Sequence, residues 1–144
     1  TTPAGLAYFV DRYRDHFHAT AVDEVVLYPE YAIVTRPAGG PRSKHRVTFR
    51  RAEFQTPDSS STRTTKKPPF DLAAMDLRAV AALIAGAPRT LGGAVQYLNI
   101  EYPPGNDESG PVMVIYAKNA DGGVSGHMSV SLAGEPLEIY RSGG

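Results

Sequence analysis

Four histidines, His16, His18, His45 and His127, are the first residues of this chain that could bind a metal or move a proton. A zinc site on a helix needs two ligands on one face, as at i and i+4. His16 and His18 are two apart at the end of an apolar-periodic stretch, about 200° around a helix axis, so as helix residues they diverge. In extended chain they share a face, and a weak surface site stays open. His45 is in phase with Val47 and Phe49 and reads as a half-buried strand position. His127 is in phase with Ser125, Ser129 and Ser131 on a polar face. A nucleophilic serine there would need a base, an orienting acid and oxyanion donors. Gly123-Val124-Ser125-Gly126 is one residue short of the nucleophile-elbow spacing. Asp107-Glu108 sits in a Pro/Gly loop with too few oxygens for calcium, and Glu24 and Glu30 flank strand ends. There is no P-loop and no G-x-G-x-x-G. No catalytic residue, metal ligand or cofactor is therefore assigned, and the chain is expected not to be an enzyme.

Charge layout is the more informative feature. Between Arg36 and Lys67 nine basic residues face two acidic ones, whereas the rest of the chain holds six basic and thirteen acidic residues. The formal net charge of zero is thus a sum of opposed parts. Within Ser43–Arg50, Lys44, Arg46, Thr48 and Arg50 alternate with His45, Val47 and Phe49, which predicts one strand with a cationic and an apolar face. Arg42, Lys44, Arg46, Arg50 and Arg51 are the candidate binding residues. Such a patch raises the local potential and steers an acidic protein or an anionic envelope component, membrane surface included. A homodimer, basic part against acidic part, is the other arrangement the split allows. Overall neutrality argues against a nucleic-acid binder, whose domain is normally basic.

The elements that position these residues follow from periodicity. Leu6, Phe9, Val10, Tyr13 and Phe17 form one helical stripe, with Thr2-Pro3 as cap and first helical residue, predicting a helix over 3–18. Strands are expected over 22–28, 31–36 and 43–50. Residues 55–69, rich in Ser, Thr, Pro and Lys, read as a flexible linker, with an edge strand in the Thr-rich part as the alternative. Asp76 caps a second helix through Leu77, Val80, Leu83, Ile84 and Ala87, with Pro88 and Gly92-Gly93 near its end. Strands follow over 95–102, 112–118, 124–132 and 137–141, with a hairpin turn at 119–123. The strand tyrosines, Tyr28, Tyr31, Tyr97, Tyr102, Tyr116 and Tyr140, are expected to pack the sheet against the helices. Val26-Leu27-Tyr28-Pro29 parallels Ile100-Glu101-Tyr102-Pro103, a short internal repeat.

The 144 residues suit one compact unit or two small ones sharing a core. There are no cysteines, which removes disulfides and thiolate metal sites. No apolar run reaches the roughly 18 residues that a membrane span needs. Because the chain begins Thr1-Thr2-Pro3, any signal peptide or anchor is expected to lie outside this sequence.

The stretch from Val112 to Arg141, VMVIYAKNADGGVSGHMSVSLAGEPLEIYR, resembles the C-terminal hairpin and last strand of PepSY-type domains. Asp121-Gly122 stands at the hairpin turn, and Gly134-Glu135-Pro136-Leu137 stands for the family's G-E-V-L piece. Ser131-Leu132-Ala133 departs from the Asp and Thr often found there. The element order is also similar to the tandem αβββ fold of secreted β-lactamase-inhibitor proteins. Duplicated modules of this kind occur as ectodomains of actinobacterial membrane proteins and lipoproteins. The resemblance implies an extracytoplasmic, envelope-associated protein that works by binding. The expected fold is α+β: two αβββ repeats, residues 1–54 and 70–144 around the linker at 55–69, with an antiparallel sheet and both helices on one face. The expected function is a non-catalytic binding or regulatory module with a basic strand face. The alternative is a proteinaceous enzyme inhibitor acting through loop residues 103–111.

Overall fold

The computed structural model describes residues 3–37, 43–55, 60–62, 69–102, 110–118 and 124–141. It is an α+β structure of two α-helices and a large antiparallel sheet. The helices are α1 (Pro3–Phe17) and α2 (Leu77–Leu91). The strands are β1 (Ala21–Val22), β2 (Glu24–Leu27), β3 (Tyr31–Pro37), β4 (Ser43–Arg50), β5 (Glu53–Phe54), β6 (Ser60–Thr62), β7 (Phe70–Asp71), β8 (Ala94–Glu101), β9 (Val112–Lys118), β10 (Val124–Ser131) and β11 (Pro136–Arg141). The large sheet runs β11-β10-β9-β8-β2-β3-β4-β5, with β6 also on β4. The short pair β1-β7 stands apart from it.

Both helices form where the apolar spacing puts them. On α1, Leu6, Phe9, Val10 and Tyr13 are buried, and Phe17 packs against the core. On α2, Val80, Ile84, Ala87 and Leu91 are buried. The Asp76 carboxylate accepts from the Ala79 amide and caps α2 at its start. Pro88 lies inside the last turn of α2 rather than beyond it, and the helix ends at Gly92 in the left-handed conformation, φ +77°. There the amides of Gly92 and Gly93 both donate to the Pro88 carbonyl, satisfying an orphan acceptor of the helix end.

The sheet contributes one alternate set of side chains to the core: Val25, Leu27, Ala32, Val34, Val47, Phe49, Leu98, Ile100, Met113, Ile115, Ala117, Met128 and Val130. α2 lies against β8, β9 and β10, and α1 touches α2. Phe9 of α1 meets Phe49 edge-on at 5.5 Å between centroids, and Phe54 lies tilted at 4.6 Å from Phe49 and edge-on at 5.1 Å from Phe17. Tyr13 is fully buried. Its hydroxyl donates to the Ala21 carbonyl at 3.0 Å and accepts from Arg36 Nε at 2.9 Å. Burial raises the Tyr13 pKa, and the Arg36 guanidinium opposes that rise.

Three features differ from the sequence expectation. The strand expected over 22–28 is broken at Asp23, whose amide binds the Thr35 carbonyl, so β1 pairs with β7 while β2 pairs with β3. Residues 69–75 fold onto the core, burying Phe70, Leu72 and Met75. The Asp71 carboxylate anchors them, accepting from the Thr20 hydroxyl and the Ala73 amide. Within 55–69, Ser60–Thr62 form β6 against Ser43–His45, the edge-strand alternative. The hairpin turn at 119–123 and loop residues 103–109 lie outside the described residues.

Candidate functional site

Alternation along each strand sends every second side chain away from the core. On β4 the buried set is Val47 and Phe49, so Lys44, Arg46, Thr48 and Arg50 project from the opposite face, left uncovered among the described residues. The β3–β4 register sets Lys44 beside Pro37, Arg46 beside Thr35 and Arg50 beside Tyr31. Arg46 and Arg50 are exposed and Lys44 is half-buried. None of the three forms an ion pair with a described residue. Arg51 is exposed in the turn after β4, and Arg42 lies outside the described residues. Arg36, also in the basic stretch, leaves this surface: its guanidinium sits 4.0 Å over the Phe17 ring on the helix side.

A row of aromatic rings crosses the same uncovered face. From the β4 side, the Arg50 guanidinium lies 4.8 Å over Tyr31. Tyr31 stacks on Tyr28 at 4.7 Å, Tyr28 reaches Tyr97 at 5.5 Å, and Tyr97 stacks on Tyr116 at 4.5 Å. His127 follows at 5.7 Å from Tyr116, and Tyr140 stacks on His127 at 5.2 Å. Five of the strand tyrosines thus lie on the face opposite the buried set, a correction to the core packing expected of them. Their chain neighbours Leu27, Ala32, Leu98 and Ile115 take the core positions instead. Tyr102 alone of the six packs on the core, edge-on to Phe70 at 5.8 Å.

Bulges set this row. On β8, Val95 faces Ala117 but Tyr97 faces Tyr116, so one extra residue, Gln96, brings the two tyrosines abreast. A second irregularity between Val124 and Gly126 on β10 sets His127 opposite Tyr116. Three links of the row are stacked, Tyr28–Tyr31, Tyr97–Tyr116 and His127–Tyr140, so those rings cover part of one another's faces. Each such pair stabilises the pairing of its strands by about 0.5–1.5 kcal/mol. Burial, then the neighbouring phenols of Tyr116 and Tyr28, raise the Tyr97 pKa.

Further along the face, the β2–β8 register continues from Val25↔Ile100 to set Glu24 opposite Glu101. Burial first, then the hydrogen bond and charge of Glu24, push the Glu101 carboxyl up to about 7. Asn99 Nδ2 donates to Glu24 Oε2 at 3.4 Å. The site therefore favours the protonated form of Glu101, a feature sequence reasoning missed because the two carboxyls are far apart in the chain.

The histidines do not converge. His16 packs its ring on Phe17 and Phe54, and His18 occupies a left-handed position, φ +53°, where its amide closes the end of α1 on the Arg14 carbonyl. Among the described residues no three His, Cys, Asp or Glu side chains are grouped as a metal site. No described helix is long and apolar enough to cross a membrane. No protein-family model, curated protein or solved structure matches this chain.

Proposed function

We propose that this chain is a non-catalytic binding module that holds an anionic or acidic partner on the uncovered face of its sheet, with Lys44, Arg46 and Arg50 as the contact row. The observation that carries this reading is that these three cations share one side of β4, with no carboxylate of the described residues paired to any of them. An unneutralised row of one sign steers an oppositely charged surface and fixes its register. The flanking tyrosine hydroxyls add hydrogen-bonding edges to that contact.

The module reads as two αβββ repeats with both helices on one face. Several measures support the duplication. α1 and α2 are both 15 residues long. β3 and β9 both have seven residues, and β4 and β10 both have eight. The two series meet at the antiparallel β2–β8 pair. The parallel between Val26-Leu27-Tyr28-Pro29 and Ile100-Glu101-Tyr102-Pro103 is no part of that support, since it matches outward Val26 with buried Ile100. The resemblance of 112–141 to PepSY-type domains falls on β9, β10 and β11, and it is this likeness that suggests an envelope setting.

The test is triple charge reversal, Lys44→Glu, Arg46→Glu and Arg50→Glu, against vesicles containing anionic lipid and against an acidic protein column at low salt. We expect at least a tenfold loss of binding with the unfolding midpoint moved by less than about 5 °C. Retention equal to the wild type at low salt would refute the assignment of this face.

A further inference from the structure

At one end of the sheet, beyond the aromatic row, α1, the β2–β3 turn and the β4–β5 turn enclose an open cleft of about 250 Å³. Phe9, Leu27 and Phe49 supply its buried apolar floor, and Tyr8, Arg50 and Arg51 stand at its mouth. Tyr8 is one of the few large apolar side chains exposed among the described residues, at 49%. The cleft is smaller than the sites that enclose drug-sized molecules, so a ligand of about a dozen heavy atoms suits it.

The turn that presents Arg51 is costly. Arg50 pairs with Glu53, leaving Arg51 and Ala52 as a two-residue loop. Both have positive φ, +54° and +63°. Two such residues in a hairpin loop are the mark of a type I′ turn, where Asn-Gly is the favoured pair. An arginine followed by an alanine is strained there. The turn is nevertheless held in place, because Arg12 Nη2 of α1 donates to the Ala52 carbonyl at 3.2 Å. The result is a held turn that places Arg51 at the mouth of an apolar-floored cleft, with Arg50 beside it in the chain. Glu30 also lines the cleft, yet its carboxylate forms no ion pair with either arginine.

From this we infer that the cleft binds a small amphiphilic anion, an apolar body carrying one carboxylate, with the body on Phe9, Leu27 and Phe49 and the carboxylate on Arg51 and Arg50. This goes beyond the β4 contact row. Arg51 is not among the residues reversed in the test of that row, so the two readings fail separately.

The experiment is an NMR titration of the whole chain with 4-phenylbutyrate and, in parallel, with 4-phenyl-1-butanol, which has the same body without the charge. We expect saturable shifts of the Gly5, Tyr8, Tyr31 and Ala52 amides with a Kd below about 1 mM, and binding of the alcohol at least tenfold weaker. Arg51→Gly, which suits the turn, should unfold at a higher temperature than the wild type and bind the carboxylate at least fivefold more weakly. No saturation by 10 mM carboxylate, equal binding of acid and alcohol, or undiminished affinity in Arg51→Gly would each overturn the inference.

Discussion

Replacing Glu101 by glutamine tests the carboxyl pair on the uncovered face. Glu24 and Glu101 face each other across β2 and β8, and Glu101 is pushed up to about 7 from the ordinary glutamate value near 4.5. The folded state therefore holds the Glu101 proton more tightly than the unfolded chain does. This contribution to stability is fully present below pH 4.5 and is lost as pH rises through about 7. At face value the displacement corresponds to about 3 kcal/mol, but the site is half open to water, and screening there reduces it to about 1 kcal/mol. Glutamine keeps a donor toward Glu24 and cannot ionise. Glu101→Gln should thus exceed the wild type by about 1 kcal/mol at pH 8.5 and match it within about 0.5 kcal/mol at pH 5. Urea unfolding followed by circular dichroism from pH 5 to 8.5 measures that difference, which isolates Glu101 from every other titrating group. A difference that stays constant across the range, or that grows in favour of the wild type as pH rises, would refute the raised Glu101 carboxyl.

Two further outcomes concern the fold. Gly134→Ala should cost about 2 kcal/mol or more in chemical unfolding, because the turn after β10 has φ +89° there and an added Cβ would lie 2.2 Å from the Ala79 Cβ; a loss below 0.5 kcal/mol would contradict so close an approach to α2. Tyr13→Phe should cost about 1–3 kcal/mol, since it strips the Ala21 carbonyl and Arg36 of their hydroxyl partner inside the core; thermal unfolding unchanged within error would show that the buried pair contributes nothing.

Local signals in the sequence are enough to place the helices. The stripe from Leu6 to Phe17 and the cap at Asp76 depend on residues within a few positions of one another, and the structure buries the stripe and uses the cap as expected. What escaped depends on distant partners. Asp23 breaks a β-rich run because its amide finds Thr35 and because β7 arrives to pair with β1. The cationic side of β4 followed from alternation alone, without any partner strand. For the tyrosines the same alternation was available, as Tyr97 precedes Leu98 and Tyr116 follows Ile115. Their size and apolar rings nevertheless suggested the core. Their assembly into a row was beyond reach, since it requires Gln96 to bulge and six chain segments to fall into register.

The row explains how a sheet with an uncovered face keeps that face ordered. Half-buried Val26, Ile33 and Val114 lie on the same side, and without neighbours they would form an apolar surface open to association. Stacked phenols on adjacent strands shield part of it by covering one another, and their hydroxyls turn the outer edge polar. Arg50 then ends the row by lying over Tyr31, which holds its guanidinium at the corner where the cation row of β4 meets the cleft mouth. An arginine held against a ring loses less side-chain freedom on meeting an anion than one free in water. By that reasoning Tyr31 prepares both proposed contacts, because it sets in advance the position of the one cation that they share.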